Sequence, residues 1–245
     1  MQEKIIKDLI IQKKIIPFFQ PIIDSTTKKI YKYEILARMF TEDHKLIFPD
    51  IFLLVAKESN LLTNITNIII EKSFEVFSKN DFNFSINVSE EDLMTSDLIE
   101  SLNKNAKKFK IAHARITIEI LETINLNNKN AKNILENIEL LKKCGYKIAL
   151  DDFGTSYSNY DRFDFLTVDY IKVDKRFAMN LLDKNHNESI INSLFLLTNE
   201  LNIKLIIEGI ESEIVYNKLK NKGINLFQGY YIDKPASILN QSLIF

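Results

Sequence analysis

Nine polar residues close apolar runs along this chain: Gln20, Glu34, Asn87, Glu119, the adjacent Asp151 and Asp152, Lys172, Glu208 and Gln228. Taken alone, an acid in such a place is ordinarily a helix cap or a solvated loop residue. Here, however, the pattern repeats after one run after another. If Glu34, Glu119, Asp151, Asp152 and Glu208 converge, each pair about 4 Å apart repels by about 4 kcal/mol at an effective dielectric of about 20, so the cluster needs a cation. Oxygen-only ligands, the carboxylates plus the Asn87 amide, favour Mg²⁺, Mn²⁺ or Ca²⁺ over zinc, which recruits His or Cys. His44, His113 and His186 lie in polar stretches away from these positions and read as surface residues, which leaves no source for a zinc triad or a Ser-His-Asp triad. Adjacent Asp151 and Asp152 suit two ions about 3.5 to 4 Å apart, an arrangement that activates water against a phosphodiester. Lys172 then fits as a water or phosphate contact, its plain alternative being a strand-end lysine that reaches solvent.

The elements that must position these residues follow from periodicity. Strand-like runs recur at Ile15–Ile23, Ile30–Leu36, Phe82–Val88, Arg115–Ile120, Lys147–Leu150, Tyr170–Val173, Lys204–Ile207 and Asn225–Phe227. Between most of them lie stretches of helical spacing, such as Ala131–Cys144 with Ile134, Ile138 and Leu141 on one stripe, and Ser189–Leu201 with Ile190, Leu194 and Leu197. The short polar link Asp24-Ser25-Thr26-Thr27 implies an antiparallel hairpin at the start. Gly145 and Gly223 follow helical runs and read as helix stops, and Gly154, Gly209 and Gly229 release the chain after strand ends. At 245 residues, alternating strands and helices predict an α/β fold, a TIM-like (β/α)8 barrel with an antiparallel first strand, the competitor being an open doubly wound sheet. In such a barrel the strand ends converge on one mouth. No low-complexity linker, internal repeat or shift of composition divides residues 1–245, so one domain is expected.

Composition narrows the rest. With 46% apolar and 27% charged residues the chain reads as globular, and a net charge of −1 gives no field that recruits a nucleic acid polymer or an anionic membrane. The lysines of Lys104–Lys110 sit at helical spacing and read as a solvated face. No apolar run reaches the roughly 18 residues of a membrane span, so no direct membrane contact is expected of this domain. The single cysteine, Cys144, reads as helix packing and fits a cytoplasmic location, which still permits membership of a membrane-anchored protein.

With those positions in hand the motifs become recognisable. Glu34-Ile35-Leu36-Ala37-Arg38 resembles the ExLxR signature of EAL domains, and FFQPII, INVS, EILE, DDFGTSYS, IKVD, IIEGIE and QGYYIDKP resemble the other EAL motifs in order and spacing across nearly the whole chain. The resemblance implies a cyclic di-GMP phosphodiesterase that yields linear pGpG with Mg²⁺ or Mn²⁺, as two ions, and is inhibited by Ca²⁺. It further implies that Glu34, Asn87, Glu119 and Asp151 hold one metal and Asp151 with Asp152 a second, while Lys172 and Glu208 work on the nucleophilic water. Gln20, Leu36, Arg38 and Gln228 become substrate contacts, Glu122 steadies the loop after Asp152, and Glu211 supports the site from behind. A homodimer formed near that loop is implied too, as is a fused sensor or GGDEF domain in a larger signalling protein.

The main departure is Ser156, where active members usually carry glycine, followed by Asn159-Tyr160 in place of Ser-Leu. Serine in left-handed geometry costs about 1 kcal/mol. Ile35, Leu121 and Ile207 also depart from the usual residues but leave every metal-binding position intact. The alternative function is a catalytically impaired EAL domain that serves as a cyclic di-GMP receptor or a protein-interaction module. A third, drawn from the barrel alone, is an enolase-like metal enzyme, for whose capping domain the chain has no room.

Overall fold

The computed structural model describes residues 2–126, 129–154, 162–183 and 185–240. Its strands are β1 (Ile15–Asp24), β2 (Lys29–Phe40), β3 (Leu46–Ile47), β4 (Phe84–Val88), β5 (Ile116–Leu121), β6 (Lys147–Phe153), β7 (Tyr170–Val173), β8 (Lys204–Ile207) and β9 (Leu226–Phe227). Eight of them close a barrel in the order β1-β2-β4-β5-β6-β7-β8-β9, and β9 returns to β1. β1 runs antiparallel to both its neighbours, and the other barrel pairs are parallel. The hairpin turn is set locally, because Asp24 Oδ1 accepts the Thr26 amide at 2.8 Å. The sequence reading lacked β3, a two-residue strand that pairs with the overhanging end of β2 outside the barrel. Two residues are too few for periodicity to register.

Alternation along the strands fills the interior in two layers. Gln20, Glu34, Asn87, Glu119, Asp151, Lys172, Glu208 and Gln228 take the upper level, and the residue two positions deeper on each strand lies on the same face. Those deeper residues are Ile22, Lys32, Ser85, Thr117, Ala149, Tyr170, Ile206 and Leu226. Ile22, Ala149, Tyr170, Ile206 and Leu226 form an apolar cluster separate from the main core. The main core lies between the barrel and its surrounding helices.

The helix Ala131–Lys143 buries Ile134, Ile138 and Leu141 as its stripe requires. In the helix Asn185–Glu200, however, the buried stripe is Asn187, Ile191, Leu194 and Thr198. Ile190 is exposed and Leu197 only half-buried, because two polar positions, Asn187 and Thr198, belong to the inner face and escape an apolar count. Lys104, Lys107, Lys108 and Lys110 are exposed, opposite buried Leu98, Leu102 and Ala106. His113 is no free surface residue: its ring stacks on Tyr146 at 4.4 Å and Nδ1 lies 2.7 Å from the Cys144 carbonyl. His44 and His186 are exposed, and Cys144 packs half-buried against the core. Among the described residues no helix is long and apolar enough to cross a membrane.

Candidate active site

The upper layer is built around Lys172, whose side chain is fully buried at the end of β7. Its Nζ lies 2.7 Å from Glu119 Oε2, 2.8 Å from Glu208 Oε1, 3.0 Å from Asp151 Oδ1 and 3.1 Å from Glu34 Oε2. Four carboxylates from four strand ends thus share one ammonium group. Register explains the meeting: Gln20 pairs with Glu34 across β1 and β2, and Asn87 with Glu119 across β4 and β5. Amides extend the network, since Gln228 Nε2 donates to Glu34 Oε2 at 2.6 Å and to Gln20 Oε1 at 3.1 Å, and Asn87 Nδ2 donates to Glu34 Oε1 at 3.0 Å.

Asp151 and Asp152 would point to opposite faces of a regular strand. A bulge prevents this: Leu150 pairs with Ile171 and Phe153 with Val173, so two residues of β6 stand opposite Lys172 alone. Asp152 absorbs the extra residue with φ 55°. Asp151 keeps its place beside Lys172, and Asp152 reaches the mouth near Asp174, which caps the helix Lys175–Met179. On the opposite wall, a Cβ on Gly229 would stand 2.2 Å from the Ile210 carbonyl oxygen, so only glycine lets the segment after Gln228 pass.

Burial and charge set the protonation states. Burial raises the carboxyls of Glu208, Asp151 and Asp152, and the Glu119 carboxyl to about 7, in spite of Lys172. Glu34 goes the other way, because the Lys172 charge and hydrogen bonds from Gln228 and Asn87 outweigh its burial. Burial works against the Lys172 ammonium too, yet the carboxylates around it raise its pKa well above the ordinary lysine range. The charged, donating form of Lys172 is therefore favoured by its carboxylate neighbours.

The sequence-expected residues fall into two groups. Gln20, Glu34, Asn87, Glu119, Asp151, Lys172, Glu208 and Gln228 form one connected network. Leu36, Arg38, Asp152 and Glu211 line the cavity of about 350 Å³ above it. The Arg38 guanidinium donates to the Ala37 carbonyl at 2.9 Å. Glu122 is buried, and its Oε2 accepts the Gly154 amide at 2.9 Å, at the start of the segment after Asp152. Ser156, Asn159 and Tyr160 lie outside the described residues. Sequence reasoning missed Lys32 and Asp174. Lys32 is 1% exposed, with Nζ 3.7 Å from Glu119 Oε1, and strand alternation could have found it two positions before Glu34.

The donor set fits a divalent cation. Glu34, Glu119 and Asp151 each aim an oxygen into one space, as do Asp151, Asp152 and Glu208, every set lying within 4.8 Å. Glu119 Oε1 and Asp151 Oδ1 are buried without a hydrogen-bond partner, although each lies against a lysine charge, Lys32 at 3.7 Å and Lys172 at 3.0 Å. All these donors are oxygens, as a hard ion prefers.

The chain is 29% identical to the cyclic di-GMP phosphodiesterase PdeB of Shewanella oneidensis, over 93% of this chain and 27% of PdeB. It spans between about a quarter and a half of the length of the curated relatives it matches. Among solved structures it superposes on the EAL enzyme Bd1971 in its cAMP and cyclic-di-GMP bound form with a TM-score of 0.89 and 26% identity, over 96% of this chain and 65% of that one. A standalone EAL protein of Vibrio cholerae O395, in a c-di-GMP bound form, gives 0.79 and 26% over 94% and 95%. Residues 3–235 match the EAL domain model, so this chain belongs to the EAL domain family.

Proposed function

We propose that this domain hydrolyses cyclic di-GMP to linear pGpG with two divalent ions, Mg²⁺ or Mn²⁺. The observation that carries the reading is the convergence of four strand-end carboxylates on Lys172 beneath an open cavity. Glu34, Asn87, Glu119 and Asp151 would hold one ion, and Asp151 with Asp152 would help hold the second. Bound there, the ions supply a water of lowered pKa and neutralise charge on the phosphoryl oxygens. Lys172, its ammonium favoured by the carboxylates around it, donates to that water or to the phosphate, whereas Glu208, its carboxyl raised by burial, accepts the water's proton. The water oxygen bonds to one phosphorus, the bond from that phosphorus to the ribose 3′ oxygen breaks, that oxygen takes up a proton from solvent as the free 3′-hydroxyl, and the ring becomes linear pGpG with a 5′-phosphate. Arg38 offers paired donors to a phosphate, Gln20 and Gln228 offer amides, and Leu36 offers an apolar surface to a guanine. Glu122 braces the segment after Asp152, Glu211 supports the wall, and Ser156 is a tolerated variation. The domain pairs as a homodimer near that segment and works within a larger signalling protein that carries a sensor or GGDEF domain.

The test is turnover of cyclic di-GMP by the purified domain, with pGpG followed by chromatography. Product with Mg²⁺ or Mn²⁺, and none with Ca²⁺ or chelator, is the expected result. Tight binding without product overturns the enzyme reading in favour of a receptor. Sedimentation that shows only monomer at high concentration, with and without ligand, overturns the dimer.

A further inference from the structure

Lys32 has no part in the chemistry above, yet it lies inside the barrel. Strand alternation puts it on the inward face of β2, two residues before Glu34. Its Nζ is buried with no hydrogen-bond partner and lies 4.2 Å from the centre of the Tyr170 ring, a member of the apolar cluster. Among the described residues its one ion pair is with Glu119, whose Oε1 is 3.7 Å away and is itself buried without a hydrogen-bond partner. Glu119 Oε2 is taken by Lys172. Its two oxygens therefore face two different lysines, one at the mouth and one below. Ser85 and Thr117, at the same depth on β4 and β5, are small and buried, so that part of the lower layer is not packed with large apolar side chains as the rest is. A buried ammonium so placed gains from one arrangement of Glu119 and loses from any that turns the carboxylate away.

We propose that Lys32 is a positioning residue for the metal site, holding Glu119 from below so that its carboxylate stays aimed at the mouth. The inference rests on the assignment of Glu119 as a metal ligand. Groups that fix a metal-binding side chain from behind typically govern affinity by about 10- to 100-fold. Lys32 acts on binding of the ion, not on the attacking water.

The experiment titrates the metal-free full chain with Mn²⁺ in the absence of nucleotide, reading free Mn²⁺ by electron paramagnetic resonance. Lys32→Met, close in size and able to rest on Tyr170, is expected to weaken binding by about 10- to 100-fold in protein whose melt in chelator still shows a folded state. Lys32→Gln, neutral but polar, is expected to follow it, and its readout stands alone if the methionine variant does not fold. Lys32→Arg, which keeps the charge, is expected to retain more affinity than either. Saturating Mn²⁺ is expected to restore kcat in Lys32→Met to within about threefold, leaving the defect in the metal concentration needed. Wild-type Mn²⁺ affinity in a folded neutral variant overturns the proposal and leaves the phosphodiesterase reading in place. Failure of the wild-type chain to bind Mn²⁺ overturns both.

Discussion

The two layers of the barrel interior come from the same strands, two residues apart, and do opposite things. The lower is largely apolar: Ile22, Ala149, Tyr170, Ile206 and Leu226 exclude water and pack. The upper gathers four carboxylates on one ammonium group, an arrangement that the fold holds together against charge repulsion and burial. The lower layer thus supplies stability, and the upper spends part of it on chemistry. The dry floor also makes the upper layer work, since charges above an apolar floor interact more strongly than charges in water. Substitutions that separate stability from turnover test this division.

The largest effect is expected at Lys172. Lys172→Met leaves Glu34, Glu119, Asp151 and Glu208 without their shared cation, and taking one partner from a buried ionic cluster costs about 3–5 kcal/mol. Turnover should fall by about 10³-fold if Lys172 is the proposed donor to water or phosphate. Steady-state kinetics and a melt in chelator read the two losses. Wild-type turnover in this variant would break the assignment of the upper layer to catalysis.

Ile206→Ala makes the converse test. Ile206 is fully buried in the lower layer, two residues before Glu208. Removing its branched side chain should cost about 2–5 kcal/mol. Each kcal/mol should lower the melting temperature by about 2–4 °C in a chain of this size. Turnover below the melt should stay within about threefold. A large fall in kcat with little loss of stability would show that the floor does more than pack.

How much of this was legible in the sequence follows from the same layers. The upper layer was, because its residues end apolar runs and a polar residue after Ile-Ile or Phe-Phe is visible in one dimension. The lower layer was legible only in part. Lys32 sits in YKYE, where a lysine among tyrosines reads as an ordinary polar strand position, and its burial depends on barrel closure. The bulge at Asp152 left no signal, since alternation alone sends Asp151 and Asp152 to opposite faces. Asp174 reads as a plain helix cap, which it is, and its proximity to Asp152 depends on that same bulge.

Acidity separates the layers a third way. Glu119, Asp151, Asp152 and Glu208 all bind protons more tightly in the folded chain than in the unfolded one, Glu119 up to about 7 from 4.5. In that window the folded state carries more protons, so stability falls as pH rises from about 4.5 through about 7. Glu34, lowered instead, adds its opposite slope below 4.5, and Lys172, raised, adds loss only above 10.5. Metal-free protein should therefore melt higher at about pH 5 than at about pH 7.5, and Mn²⁺ should reduce or reverse the difference by taking over the carboxylates. A metal-free melt that rises over this interval would mean that the cluster is already neutralised in some other way.

The smallest expected effect tests what the bulge costs. Asp152 sits at φ 55°, partly buried and with its carboxyl beside that of Asp174, so it combines unfavourable backbone geometry with the burial of a charge and like-charge repulsion. The substitution Asp152→Asn would keep the backbone, since asparagine tolerates the left-handed region as well as aspartate does, and would remove the charge. It should therefore stabilise the metal-free protein by about 1 kcal/mol, a rise of about 2–4 °C in its melt, because the cost of burying the charge and the repulsion are relieved while the backbone geometry stays. Turnover should fall even so, for the proposed second metal site loses a carboxylate. A variant that is more stable and less active would place Asp152 among the residues kept for function against the preference of the fold. Unchanged turnover would confine the metal site to Glu34, Asn87, Glu119 and Asp151.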